Sequence, residues 1–162
     1  MFKLKWLENG KLGDRFITLD EAGQRTLLAR EVRSASIAPL MAMGIPPRTP
    51  NRIDSIEWFF TPEDLIRVMD WLRRNTEGAS GADARAVLSK NPGLSIDRAQ
   101  YSWTGFKGGS EPGVMNLTLL ERGVDGNWYA AAASWNDTTQ HLEEMRFVEL
   151  MTALVKYAGP QR

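Results

Sequence analysis

Apolar positions recur at helical spacing over most of the chain and at strand spacing in one part of it. Ala22, Leu27, Leu28 and Val32 form a narrow stripe against Arg25, Arg30 and Glu31. With Asp20 as N-cap, they predict a helix from Glu21 to about Arg33. Thr61-Pro62-Glu63-Asp64 supplies a threonine cap, a proline at the first helical position and an acid three residues after the cap. Leu65, Val68, Met69 and Leu72 follow at helical spacing, so a second helix is predicted from about Pro62 to Arg74. A short helix near Asp83 to Ser89 stops before Asn91-Pro92-Gly93. The period then changes. Gln100 to Lys107 alternates and is aromatic, and Val114 to Leu120 and Trp128 to Trp135 are apolar runs.

The second and third runs are joined by Gly123 and Asp125-Gly126, which reads as a hairpin turn. The first and second are joined by a tight loop over Gly108 to Gly113. A last helix is predicted from about Thr139 to Tyr157, with Phe147, Leu150, Met151 and Leu154 on one face. Met1 to Asp14 fits a short helix or a strand, and the pattern does not separate them. Residues 39–52 hold Pro39, Pro46, Pro47, Pro50 and Gly44 and are a connector. The predicted fold class is α+β, a three-stranded antiparallel meander packed by helices, in one domain over residues 1–162. No repeat interrupts it.

Composition narrows the chemistry. Lys and Arg number 20, Asp and Glu 20, for a net charge of zero, which removes the basic footprint of a nucleic-acid binder. With no cysteine, disulfides, zinc fingers and a thiol nucleophile are excluded, and the single histidine leaves little for a transition-metal site. No apolar run approaches the ~18 residues of a membrane span, and no signal peptide follows Met1. No cofactor, nucleic acid or membrane is expected.

Most single residues have a structural explanation. His141 reads as a solvated residue at a helix start, and Glu143-Glu144 as favourable charge at that N-terminus. Trp71, Trp128 and Trp135 read as core packing rather than a sugar platform. No phosphate-binding glycine loop is present. Phe106-Lys107-Gly108-Gly109-Ser110 stands apart, because it places a cation at the end of an aromatic strand, beside glycine backbone that a ligand can approach closely. Alone, it also fits an ordinary lysine before a turn.

Lys107-Gly108-Gly109-Ser110, on the first strand of a meander that precedes a long C-terminal helix, resembles the penicillin-recognising serine hydrolases, the class A β-lactamase-like group. There a Lys-Thr-Gly or Lys-Ser-Gly triplet lines the active-site cleft. Thr61-Pro62-Glu63-Asp64-Leu65, Asp125-Gly126 with Trp128-Tyr129-Ala130, and Leu142 to Phe147 resemble the family's neighbouring elements, in order, over about Trp58 to Ala158. The resemblance implies the C-terminal part of the β-lactamase/transpeptidase-like fold. Lys107 would supply positive charge for a substrate carboxylate, Gly109 would keep the strand open to ligand, and the Ser110 backbone N–H would be an oxyanion donor. Gly108 would stand where the family has Thr or Ser, removing a hydroxyl that helps hold the carboxylate.

The family's nucleophile comes from Ser-x-x-Lys, and none of Ser34, Ser36, Ser55, Ser80, Ser89, Ser95, Ser102, Ser110 or Ser134 has a lysine three residues on. Ser-Asp-Asn is also absent. The expectation is an incomplete domain, the C-terminal half of a hydrolase that transfers an acyl group from an amide or β-lactam to serine and then to water, inactive on its own. The intact family member would be periplasmic or secreted. The family's N-terminal strands and helix complete the sheet beside its last strand, so this chain is expected to self-associate through an exposed sheet edge or an apolar face of its final helix. The alternative is a non-catalytic binding or assembly module built on the half-fold.

Overall fold

The switch to strand spacing near residue 100 marks the start of the sheet. The structure is a computed structural model that describes residues 10–32 and 49–160. Strands β1 (Tyr101–Glu111), β2 (Val114–Gly123) and β3 (Trp128–Asn136) form one antiparallel sheet in the order β1-β2-β3. The described helices are α1 (Lys11–Ile17), α2 (Glu21–Leu27), α3 (Pro62–Asn75), α4 (Ala82–Ser89) and α5 (Glu144–Ala158). A π-helical turn, Leu28–Val32, continues α2. The α+β class and the meander are as expected. The first nine residues and residues 33–48, which include most of the proline-rich connector (39–52), lie outside the described residues.

β1 extends further than its apolar pattern. Pro112-Gly113 reverses the chain in two residues, with Gly113 at φ +79°, the proline-then-glycine order of a type II turn. Pairing therefore continues through Gly108↔Leu117 and Gly109↔Asn116 to Glu111↔Val114. Gly108 to Glu111 are ladder residues rather than a loop, and Lys107 sits in mid-strand rather than at its end. β2 and β3 meet at a turn where Asp125 accepts the Asn127 N–H and the Tyr129 hydroxyl (2.7 Å).

Alternation gives the sheet two faces. On one, Phe147, Met151 and Val155 of α5 pack with Leu117 and Leu119 of β2, while Ala131 and Ala133 of β3 keep that surface low beneath the helix. Side chains close the carbonyls of the last turn of α5: Tyr101 Oη donates to Val155 O (2.6 Å) and Gln100 Nε2 to Lys156 O (3.1 Å). α5 begins at Glu144, not Thr139. The Asp137 carboxylate accepts from the Thr139 and Gln140 N–H groups and holds that stretch in a turn that competes with helix. Val155 takes a core position in place of Leu150 and Leu154, which fall to one side of the 147-151-155 line and are 59% and 45% exposed.

The opposite face carries α3 and α4. Thr61 Oγ1 accepts the Asp64 N–H while the Asp64 carboxylate accepts the Thr61 N–H, completing the expected capping box. Met69 is the buried residue of α3. Trp71, two residues on and so on the far side of the helix, is 55% exposed rather than core. Arg85 of α4 stands over Trp103 (5.4 Å) and Trp128 (5.0 Å) and donates to Thr76 O and Arg73 O, pinning α4 to the end of α3 and to β1. A second cluster joins Leu12 and Phe16 of α1, Leu27 of α2, and Ile56. Asp20 caps α2 through the Gly23 N–H (2.8 Å) as expected. None of the described helices is long and apolar enough to cross a membrane.

Candidate functional site

The ladder sets what each residue of β1 presents. β2 bonds to β3 through odd-numbered residues, as in Gly123 N to Asn127 O (2.9 Å) and Asp137 N to Gly113 O (2.8 Å). It therefore bonds to β1 through its even ones, whose partners are Lys107, Gly109 and Glu111. The backbone groups of Phe106, Gly108 and Ser110 point to the open edge. The side chains of Lys107 and Glu111 fall on the α3 face, where a Gly109 side chain would also point.

On that face lies a cavity of about 550 Å³. Its strand wall is Lys107 to Glu111 with Asn116, Ser134 and Asn136, and its other wall is Ile53 with Trp58, Phe59 and Phe60 from the chain ahead of α3. The three aromatics are exposed. Asn116 is held in one orientation, its Nδ2 donating to Ala133 O (3.0 Å) and Ser134 Oγ (2.8 Å) and its Oδ1 accepting from Thr118 Oγ1 (3.0 Å). Lys107 is exposed and curls along the strand so that Nζ donates to Gly108 O.

The two glycines differ in cause. A Cβ on Gly108 would lie 2.6 Å from the Phe106 ring and 3.1 Å from Asn116 O, so a side chain there would force the ring to shift. A Cβ on Gly109 would meet nothing within 4 Å, and Gly109 is not among the positive-φ residues. Neither packing nor backbone geometry demands a glycine at 109, although one in mid-strand costs stability. Its effect is to leave the cavity wall as bare backbone.

All four residues singled out in the sequence, Lys107, Gly108, Gly109 and Ser110, thus line one cavity. His141 does not join them; it is exposed in the turn ahead of α5, with Glu143 at the N-cap position. The sequence reading missed the aromatic wall and the polar floor. Their signals are three consecutive aromatics before the Thr61 cap and polar residues at i, i+2 spacing, Asn116-Thr118 and Ser134-Asn136.

It also missed Glu121, on the α5 face opposite the cavity. Glu121 is 1% exposed. Burial pushes its carboxyl up to about 7, against the lowering effect of Thr104 Oγ1, which donates to it at 3.4 Å. The neighbouring Tyr101 phenol is raised to about 12, first by burial and then by Glu121, with Tyr129 and Asp125 adding smaller effects. Among the described residues, no three His, Cys, Asp or Glu side chains gather as metal ligands.

No protein-family model matches the sequence, and no curated protein is significantly similar to it.

Proposed function

We propose that this chain forms one wall of the acyl-binding cleft of a β-lactamase-like serine hydrolase, with Lys107 as the cation for a substrate carboxylate and the Ser110 N–H as an oxyanion donor. Gly109 is the observation that carries the reading. A mid-strand glycine that the fold does not require, beside a lysine and over an open cavity, fits a ligand lying against the backbone. The order of elements supports it as well: Lys107-Gly108-Gly109-Ser110 on the first strand of a meander, closed on its other face by the C-terminal helix. The acyl chemistry needs an oxyanion donor that is not spent in the ladder, and the Ser110 N–H faces the open edge. It also needs a nucleophile with its base, and no Ser-x-x-Lys occurs in these 162 residues. The chain's part is therefore recognition and charge stabilisation.

The test is a titration of the chain with benzylpenicillin, followed by tryptophan fluorescence, because Trp58 lies in the cavity wall. The expected result is saturable binding that weakens by about fivefold in Lys107→Ala, the order of one lost exposed ionic contact. No covalent adduct should appear in the mass spectrum. Binding that is absent, or indifferent to Lys107, overturns the reading.

A non-catalytic binding module is the second reading, because β1 and residues 53–60, far apart in the sequence, together form two facing walls of the cavity. It shares the titration result but differs under limited proteolysis, where the module is resistant and an incomplete hydrolase is cut within residues 53–60.

A further inference from the structure

We infer that two copies of this chain join through β3, making one continuous sheet across a two-fold axis, with the outer flank of α5 packed against its mate. The reasoning begins at the strand. The backbone groups of Trp128, Ala130, Ala132, Ser134 and Asn136 point away from β2, and among the described residues no other strand pairs with them. Edges of this kind are normally protected by lysine, proline or a bulge. β3 has none of these, and no charged side chain occurs between Trp128 and Asn136. Antiparallel pairing about Ala132 sets Ala130 opposite Ser134 and Trp128 opposite Asn136, so no like charges meet. A copy of the same strand is thus an electrostatically neutral and sterically small partner.

The helix above supplies the second half of the interface. α5 runs antiparallel to β3, from the Phe147–Trp135 ring contact to the Val155–Tyr101 hydrogen bond. The odd residues of β2 face α5 and bond to β3, and that hand of the sheet puts Leu150 and Leu154 on the side of α5 toward the open edge. They are the exposed leucines of the helix. Packed helices need about 8–10 Å between axes, roughly two strand spacings, so two copies of α5 fit side by side above the joined strands. One two-fold operation then covers both the bare edge and the bare flank, and it closes, so assembly stops at two.

Sedimentation velocity on the full chain, from about 1 to 100 μM, reads the result directly, since that range populates any dimer with micromolar Kd. The expected mass is twice the 18.2 kDa of one chain. Ala132→Pro removes only an edge-facing N–H and spares the β2–β3 ladder. Leu150→Glu with Leu154→Glu leaves the sheet untouched. Each variant should sediment as a monomer while keeping the wild-type circular dichroism. A wild-type monomer throughout would assign the edge to some other segment or partner and overturn the proposal. Assemblies larger than two, or a dimer unmoved by the helix variant, would overturn it as well.

Discussion

β1 and β3 both flank β2, and each leaves a row of backbone groups facing outward, yet the two edges are built differently. β1 carries Lys107, a register irregularity between Tyr101 and Trp103, and glycines at 105, 108 and 109. β3 is uncharged, with four consecutive alanines from Ala130 to Ala133. An edge with a cation and bare backbone resists strand pairing but admits a small ligand. A small-residue, neutral edge does the reverse. The same meander therefore offers one edge suited to molecular recognition and one suited to association.

The largest test of that contrast is at the helix over β3. Phe147→Ala opens the core beneath α5 and should cost about 3–5 kcal/mol in urea unfolding. Leu150→Ala, on the outer flank, should lower dimer affinity while leaving monomer stability nearly unchanged. Equal losses in monomer stability would mean that the flank is core and the β3 side is not open.

Next is Glu121, between Thr104 of β1 and Tyr129 of β3. Its carboxyl titrates near 7 when folded and near the ordinary 4.5 when unfolded, so the folded state holds the extra proton between those values. Stability is then highest below pH 4.5 as far as this group is concerned, and declines as pH rises to about 7. The decline is on the order of 3 kcal/mol. Glu121→Gln should remove that slope and be more stable than the wild type at pH 8. An unchanged slope would place the titrating group elsewhere.

The glycine pair sharpens the β1 side. Gly108→Ala, pressed on the Phe106 ring, should destabilise by about 1–3 kcal/mol. Gly109→Ala should stabilise by about 0.5–1 kcal/mol, while its methyl intrudes on the cavity and weakens benzylpenicillin binding. Destabilisation by both would mean that Gly109 is structural. The smallest stability effect belongs to Lys107→Ala, within about 0.5 kcal/mol because the side chain is exposed, although binding should fall.

Much of this was legible along the chain. The Thr61-Pro62 start, the end of α4 at Ser89 and the hairpin at Asp125-Gly126 stand where the local signals put them, because caps and turns act over three or four residues. The ends of β1 and α5 were misplaced for an equally local reason. A two-residue turn lets pairing run on through glycines, and the Asp137 side chain captures backbone groups that a helix would have used. Of the site, the lysine-glycine strand could be read, whereas the aromatic wall 47 to 49 residues upstream of it could not.

The sequence by itself determined the capped helices α2 and α3, the presence of three strands with a hairpin between the last two, and that Lys107 would lie beside bare backbone, since periodicity and turn chemistry are properties of neighbours in the chain. Only the tertiary structure decided that Val155 rather than Leu150 faces the sheet, that Glu121 is buried, and that Gly108 lies against the Phe106 ring while Gly109 faces open space. Each of these depends on what lies across the sheet or a helix turn away, and burial and steric exclusion are set by partners that sequence order does not name.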